Sequence, residues 1–404
     1  MADRENYQNR RSSERRTPYY GASRTARGTR RENNKGKDFV AWLRQPRSDI
    51  DYPFLIVVGL LIAFGLIMLF SAGSARAFAN FGDSLWYVKK QFMFALLGVV
   101  AMYVASKYDY HKIPVKPLLY VSIGLLILVI IPGVGTTTNG ATRWLFGFQP
   151  SEAAKIAIIV YFSYKISSNP NRLNSFVYGF LPLIGVLGVF AVLLMLEPHF
   201  SCVILIGLTA CLIMFVGGAK IKHFLILGAP VLCGGVIAIA LSPYRLARVV
   251  SFLNPFADAK GDGWQIVQSL YAIGSGGLFG VGLGQSRQKY QSLPEPQNDF
   301  IYSVLSEELG LMGAIILAAL FAFLIIRGIK IAAKAPDLYG TLLAIGIVGI
   351  IGFQALINIA VVTSSVPVTG MPLPFFSYGG TALTITMGEM GIVLNISRQA
   401  RSSI

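Results

Sequence analysis

Charge is what this sequence has least of: Asp, Glu, Lys and Arg make up only 13% of its 404 residues, against 54% hydrophobic. Soluble globular chains carry roughly a quarter charged residues, so that class is excluded and a polytopic helical membrane protein is expected. Cysteine is nearly absent too. Cys202, Cys211 and Cys233 all lie inside apolar runs, which leaves no disulfide framework and no CxxC metal spacing. The three histidines, His111, His199 and His223, stand singly, and no two have the helical spacing of a zinc pair. The glycine-rich run from Gly274 to Gly284 lacks both a preceding strand and a closing Gly-Lys-Ser/Thr, which excludes a nucleotide-binding loop. Its glycines instead let the backbone turn back toward the membrane. Alternating apolar and polar residues are missing as well, so a transmembrane β-barrel is excluded.

What is present is length and apolarity. Residues 1–50 hold the pairs Arg10-Arg11, Arg15-Arg16 and Arg30-Arg31 among small polar residues. Such a stretch cannot build a core, and it reads as a disordered basic tail that fixes topology and touches anionic lipid rather than nucleic acid. Its charged region is too long for a signal peptide. Residues 51–404 form the membrane domain, with ten spans expected at 53–72, 88–106, 117–134, 151–167, 177–196, 200–217, 222–241, 301–325, 338–361 and 379–396. With both termini placed in the cytoplasm, the inner side carries 25 Lys and Arg against 9 Asp and Glu, and the outer side 10 against 10. The whole net charge of +16 then lies inside, as the positive-inside rule requires.

This topology puts a large extracytoplasmic loop, 242–300, between spans 7 and 8, and opens 135–150 and 362–378 on the same face. Within the loop, Arg245–Leu253 and Trp264–Ile273 have amphipathic spacing and are expected as short interfacial helices. Phe252 to Glu308 gathers Asp258, Asp262, Glu295, Asp299, Glu307 and Glu308 beside Lys260, Arg287 and Lys289. Asp258 sits between a proline turn and Gly261-Asp262-Gly263, a setting that suits either a positioned general base or a turn aspartate bonding its own backbone. Glu152 and Lys155 share one helical face at the outer end of span 4, where paired charges at membrane depth mark a functional site or a structural ion pair. Glu197, Glu307, Glu308 and Glu389 are second-tier acids. The Pro- and Gly-punctuated segment from Pro367 to Gly380 is expected to line an outer cavity, because irregular backbone at that depth needs packing or a wet wall.

Taken together, NGATRWLFGFQPSEAAK from Asn139, LEP from Leu196, FLNPFADAKGDGWQIVQS from Phe252, GLGQSRQKYQSLPEPQNDFIYSVLSEELG from Gly282 and PVTGMPLPFFSYGG from Pro367 resemble the SEDS family. These are the shape, elongation, division and sporulation peptidoglycan glycosyltransferases that include FtsW, RodA and SpoVE, and the division and sporulation wording is the nearer one. The family's essential loop acid falls on Asp258. This sequence has Asp258-Ala259 where the family usually has Asp-Pro, and Glu197-Pro198-His199 where it has Glu-Pro-Asp, so no acid can act at position 199.

The resemblance implies that lipid II, a disaccharide-peptide on undecaprenyl diphosphate, is polymerised into glycan strands for septal or sporulation wall synthesis, with Asp258 as general base. Arg143, Lys155, Arg248 and Lys289 are expected to hold the diphosphates. Trp144, Glu152, Gln265, Glu295, Asp299 and Ser377 complete the expected substrate-binding set. A divalent cation, Mg2+ or Mn2+, is expected to assist without a dedicated protein metal motif, and no nucleotide is expected. The implied partners are a monofunctional class B penicillin-binding protein and other divisome membrane proteins, with no nucleic acid, at the division septum of a bacterial plasma membrane. Two rival readings are a lipid II flippase, which would use midplane charges and broken helices, and a non-enzymatic division scaffold.

Overall fold

The computed structural model describes residues 50–400 apart from 139, 140, 242, 262 and 292. The basic tail therefore lies outside the described residues, as does Asp262. Helices occupy all ten segments expected to be spans: α1 (Tyr52–Phe81), α2 (Trp86–Lys107), α3 (Val115–Ile130), α4 (Pro150–Ser168), α5 (Leu181–Leu196), α6 (Phe200–Val216), α7 (Ile221–Ala240), α11 (Ile301–Ala333), α12 (Leu338–Val362) and α13 (Gly380–Gln399). Between α7 and α11 stand α8 (Pro243–Leu253), α9 (Trp264–Gly276) and the single turn α10 (Gln288–Gln291). The two amphipathic pieces of the long loop are thus helical. The fold is not purely helical, however. Thr136–Thr138 (β1) and Ala141–Trp144 (β2) pair antiparallel in what was expected to be a plain loop.

Among the described residues, five segments are long and apolar enough to cross a membrane: α1, α2, α11, α12 and Phe176–Leu196, where a π-helical turn leads into α5. The α3 and α6 helices and the first seventeen residues of α7 are apolar but shorter. Local chemistry sets the boundaries. Asp51 accepts the Phe54 N–H at 3.0 Å and Gly82, at φ 71°, ends α1; Asp337 accepts the Gly340 N–H at 2.9 Å to start α12. Side-chain caps of this kind satisfy donors that a helix end otherwise orphans.

Two helices overrun their expected ends. α1 continues nine residues past 72, where Arg76 pairs at 2.9 Å with Glu295 of the connection 242–300. α11 continues eight residues past 325, where Arg327 pairs with Asp51 at 2.6 Å. Such extensions rest on contacts remote in sequence, which an apolar run does not encode.

α12 is the central helix and packs on α4, α6, α9, α11 and α13, while α2 and α13 lie against each other along their length. Small residues permit that approach. Gly391 has no room for a Cβ against the Met102 backbone, and the opposite face of α2 presents exposed Phe92, Leu96, Val100 and Tyr103. At the far end of this pair, Asn395 accepts the Tyr110 N–H and donates to the Ser106 carbonyl.

α11 is broken near its start. Gly310 has φ 64° and ψ −163°, a conformation open only to glycine. The freed backbone groups do not go unpaired. Val281 and Gly282 donate to the carbonyls of Glu307 and Glu308, each at 3.0 Å, and Leu311 and Met312 donate to Gly277 and Leu278 at 2.9 and 3.1 Å. The glycine-rich run thus inserts against the break and replaces the missing helical bonds.

Candidate functional site

A cavity of about 240 Å³ opens among the start of α4, the α5–α6 turn, α12, the loop before α11 and the irregular segment before α13. Pro150 starts α4 at a position where its missing N–H is harmless. Glu152 then falls in the first turn, where the helix dipole favours a carboxylate, and Lys155 sits one turn further in. Their ion pair is 2.7 Å long, with both side chains less than a tenth exposed. Lys155 also donates to Gln354 on α12 at 3.3 Å. Glu389 of α13 lies buried within electrostatic reach of the same lysine.

The opposite wall is backbone held by amides. Gln354 donates to the Pro372 carbonyl at 2.9 Å, and Asn358, one turn on, donates to the Asp299 and Met371 carbonyls at 2.8 and 2.7 Å. Ser377 donates to the Asn298 carbonyl at 2.6 Å and accepts from the Leu373 N–H at 2.8 Å. Gln91 of α2 donates to the Ser377 carbonyl and accepts from the Gly379 N–H. Non-helical backbone at this depth is thereby paired, as a low-dielectric setting demands. Gly370 to Pro374 and Ser377 to Gly379 are all on its wall, so much of the irregular segment Pro367–Gly380 lines a cavity.

The third wall is the α5–α6 turn. Arg143, on β2, donates through Nε to the Glu197 carbonyl at 3.4 Å and through Nη2 to the Pro198 carbonyl, so the hairpin pins the turn. The Glu197 side chain is 2% exposed and neither oxygen has a hydrogen-bond partner; burial pushes its carboxyl up to about 8 despite the opposing pull of Arg143. His199 lines the cavity, and its Nδ1 is buried without a partner. Burial, with Arg143 and Lys155 adding to it, holds that imidazole down at about 3.

Of the residues expected at the site, Arg143, Trp144, Glu152, Lys155, Asp299 and Ser377 come together on this cavity. Glu295 stands just behind, accepting from Gln297 and Asn298 at 3.0 and 2.8 Å as well as from Arg76. Lys289 is elsewhere. It is 4% exposed and its ammonium donates to Glu308 at 2.8 Å, the Gly284 carbonyl at 2.8 Å and Ser71 at 3.1 Å, so all three of its protons are used in a network that ties the glycine-rich run to α1 and α11. Glu307 belongs to the same network through Ser286 and the Arg287 N–H.

Asp258 does not line the cavity. It lies exposed on the α8–α9 turn and accepts the Gly261 N–H at 3.0 Å, the turn geometry that its proline and glycine neighbours allow. Gln265 is exposed on α9, and the Arg248 side chain lies outside the described residues. The sequence reading passed over Gln354, Asn358, Gln91 and His199. For Gln354 and Asn358 a signal existed: two amides four residues apart in an otherwise apolar span lie on one face, and polar groups in a membrane helix seldom face lipid. Among the described residues no three His, Cys, Asp or Glu side chains gather where they could hold a metal ion.

Comparison with known proteins agrees on one family. The family model described as cell cycle protein, covering FtsW, RodA and SpoVE, matches residues 52–402. Stage V sporulation protein E of Bacillus subtilis (strain 168) is 45% identical over 358 residues, 87% of this chain and 98% of that one. A probable peptidoglycan glycosyltransferase FtsW of Geobacter sp. (strain M18) is 39% identical over 359 residues, again 87% and 98%. Among solved structures, a chain of a peptidoglycan synthase complex that coordinates polymerization and crosslinking superposes with a TM-score of 0.72 at 27% identity, covering 86% of this chain and 98% of that one. The rod shape determining protein RodA of Thermus thermophilus superposes with a TM-score of 0.64 at 26% identity, covering 88% and 98%.

Proposed function

The chain belongs to the FtsW, RodA and SpoVE family of cell cycle proteins, and from that premise we propose that its cavity takes the diphosphate end of lipid II while Asp258 serves as the general base. It is a membrane-embedded peptidoglycan glycosyltransferase of the kind its relatives are named for. The observation that carries the proposed site is a buried ammonium and a guanidinium on one polar cavity whose other wall is non-helical backbone. A diphosphate needs charge-assisted donors. Lys155 has one proton beyond those given to Glu152 and Gln354, and Arg143 stands at the same mouth.

In the reaction, the acceptor sugar hydroxyl attacks the anomeric carbon of the lipid-linked donor. The bond from that carbon to the diphosphate breaks, the departing oxygen keeps the electron pair, and the hydroxyl proton passes to the Asp258 carboxylate. Because Asp258 lies on the α8–α9 turn outside the cavity, this reading requires the turn from Asn254 to Gly263 to close toward bound substrate. Positioned general bases contribute about 10² to 10⁴ in rate, and the developing charge on the leaving group is offset by preorganised cations.

The ten-span topology with both termini cytoplasmic and 242–300 outside is supported by helices at all ten expected segments and by its agreement with the positive-inside rule, since this placement puts the whole net charge of +16 inside. Likeness to a chain of a peptidoglycan synthase complex that coordinates polymerization and crosslinking supports a crosslinking partner; a class B penicillin-binding protein is the partner proposed, and the division septum the place. The test uses the full chain purified with that partner and given lipid II, beside Asp258→Asn. Loss of strands on the order of 10²-fold or more, with unchanged melting, is expected. Equal polymerisation by both would remove Asp258 as base, and headgroup translocation without polymerisation would replace the synthase with a flippase.

A further inference from the structure

Beside its charged residues, the cavity wall carries a neutral ring whose buried nitrogen has no hydrogen-bond partner. His199 stands on its wall with Nδ1 buried and unpartnered, and a buried ring nitrogen left without a hydrogen bond is costly unless a ligand completes it. Its place is fixed from both sides. The His199 N–H donates to the Leu194 carbonyl at 2.9 Å, and Arg143 grips the carbonyls of the two residues before it. A side chain held by such a turn is preorganised for contact rather than mobile.

The chemistry of that contact follows from its neighbours. With Arg143 and Lys155 beside it and burial around it, the imidazole stays neutral across the cellular pH range, so it is neither a third cation for a diphosphate nor a proton carrier. A neutral imidazole serves neutral hydroxyls and amides. We propose that His199 is a specificity residue, making one hydrogen bond through Nδ1 with a hydroxyl or acetamido group of the sugar that adjoins the diphosphate. The inference rests on the proposed function, in which Arg143 and Lys155 take the diphosphate itself. Cations and imidazole then divide the ligand between them: charge is read by the first pair, and the presence of a sugar by the third side chain.

Binding separates the two parts. The full chain in lipid nanodiscs is titrated with two probes, a polyprenyl diphosphate and the same lipid bearing an N-acetylated amino sugar. Wild type is expected to bind the sugar-bearing probe more tightly. His199→Ala should weaken that probe by about three- to tenfold, the scale of one neutral hydrogen bond, and leave the bare diphosphate lipid unchanged, which also reports that the variant is folded. His199→Asn, whose amide can stand near the Nδ1 position, should recover most of the difference. Equal weakening of both probes by His199→Ala, or of neither, overturns the inference. Binding of neither probe by wild type overturns it together with the reading of the cavity. Wild type that shows the probe difference but makes no strands from lipid II would remove the polymerase reading and leave His199 as a sugar contact.

Discussion

Lys155 reaches back three residues to Glu152 at 2.7 Å, and neither side chain is more than 9% exposed. A pair buried this deeply does not stabilise by its attraction alone, because desolvation of both charges offsets it. Removing one member is another matter. Lys155→Met leaves Glu152 buried without a cation and is expected to lower stability by about 3–5 kcal/mol. The double variant Lys155→Met with Glu152→Gln should recover more than half of that. Thermal melting of the two in the same detergent checks the prediction; equal loss in both would show that packing, not charge, holds this corner.

Lys289 and Glu308 give a second case, away from the cavity. Lys289→Met strips Glu308 of its cation while leaving Ser71 and the Ser286 N–H, and a loss of about 3–5 kcal/mol is again expected. Proteolysis should show its first new cut in the glycine-rich run that Lys289 anchors. Wild-type melting and protection in this variant would sink the anchoring role.

Gly310→Ala tests the break in α11. The backbone there is a glycine conformation, and a Cβ would overlap the Gly280 N and Leu278 backbone, so at least about 2–3 kcal/mol should be lost. A melting curve that does not move would mean that α11 straightens without penalty.

Glu197 predicts a pH dependence. Its carboxyl is raised to about 8 in the fold from about 4.5 in the open chain, so between those values the folded protein keeps a proton that the unfolded chain has released. Stability from this group is full below the lower value and is lost as pH rises through the upper one. Glu197→Gln should therefore melt less steeply with pH from 5 to 9, and above wild type at the alkaline end. Identical pH profiles for the two proteins would exclude the buried acid as their source.

The helices were legible because apolar length alone decides them, and Lys155 with Glu152 because ionisable residues in an apolar span stand out. Arg143, Asp299 and Ser377 joined them because the expected topology opens their segments on one face. The ends of α1 and α11 were not legible, since Arg76 and Arg327 are held by Glu295 and Asp51, partners remote along the chain. Lys289 was expected among the diphosphate ligands because its charge was visible, while its proximity to Ser71, 218 residues earlier, was not. His199 was legible only as a histidine with no zinc-spaced partner, because its place on the cavity wall depends on how the α5–α6 turn folds.

The splice between the glycine-rich run and the break at Gly310 has a consequence for exchange between relatives. Residues 277–282 and 307–312 complete each other's backbone hydrogen bonds, so they act as one structural piece. A chimera that takes the outer loop from one parent and α11 from another cuts through this joint, although no apolar span is interrupted. Moving the junction inward past Met312 keeps both halves of the joint from the same parent.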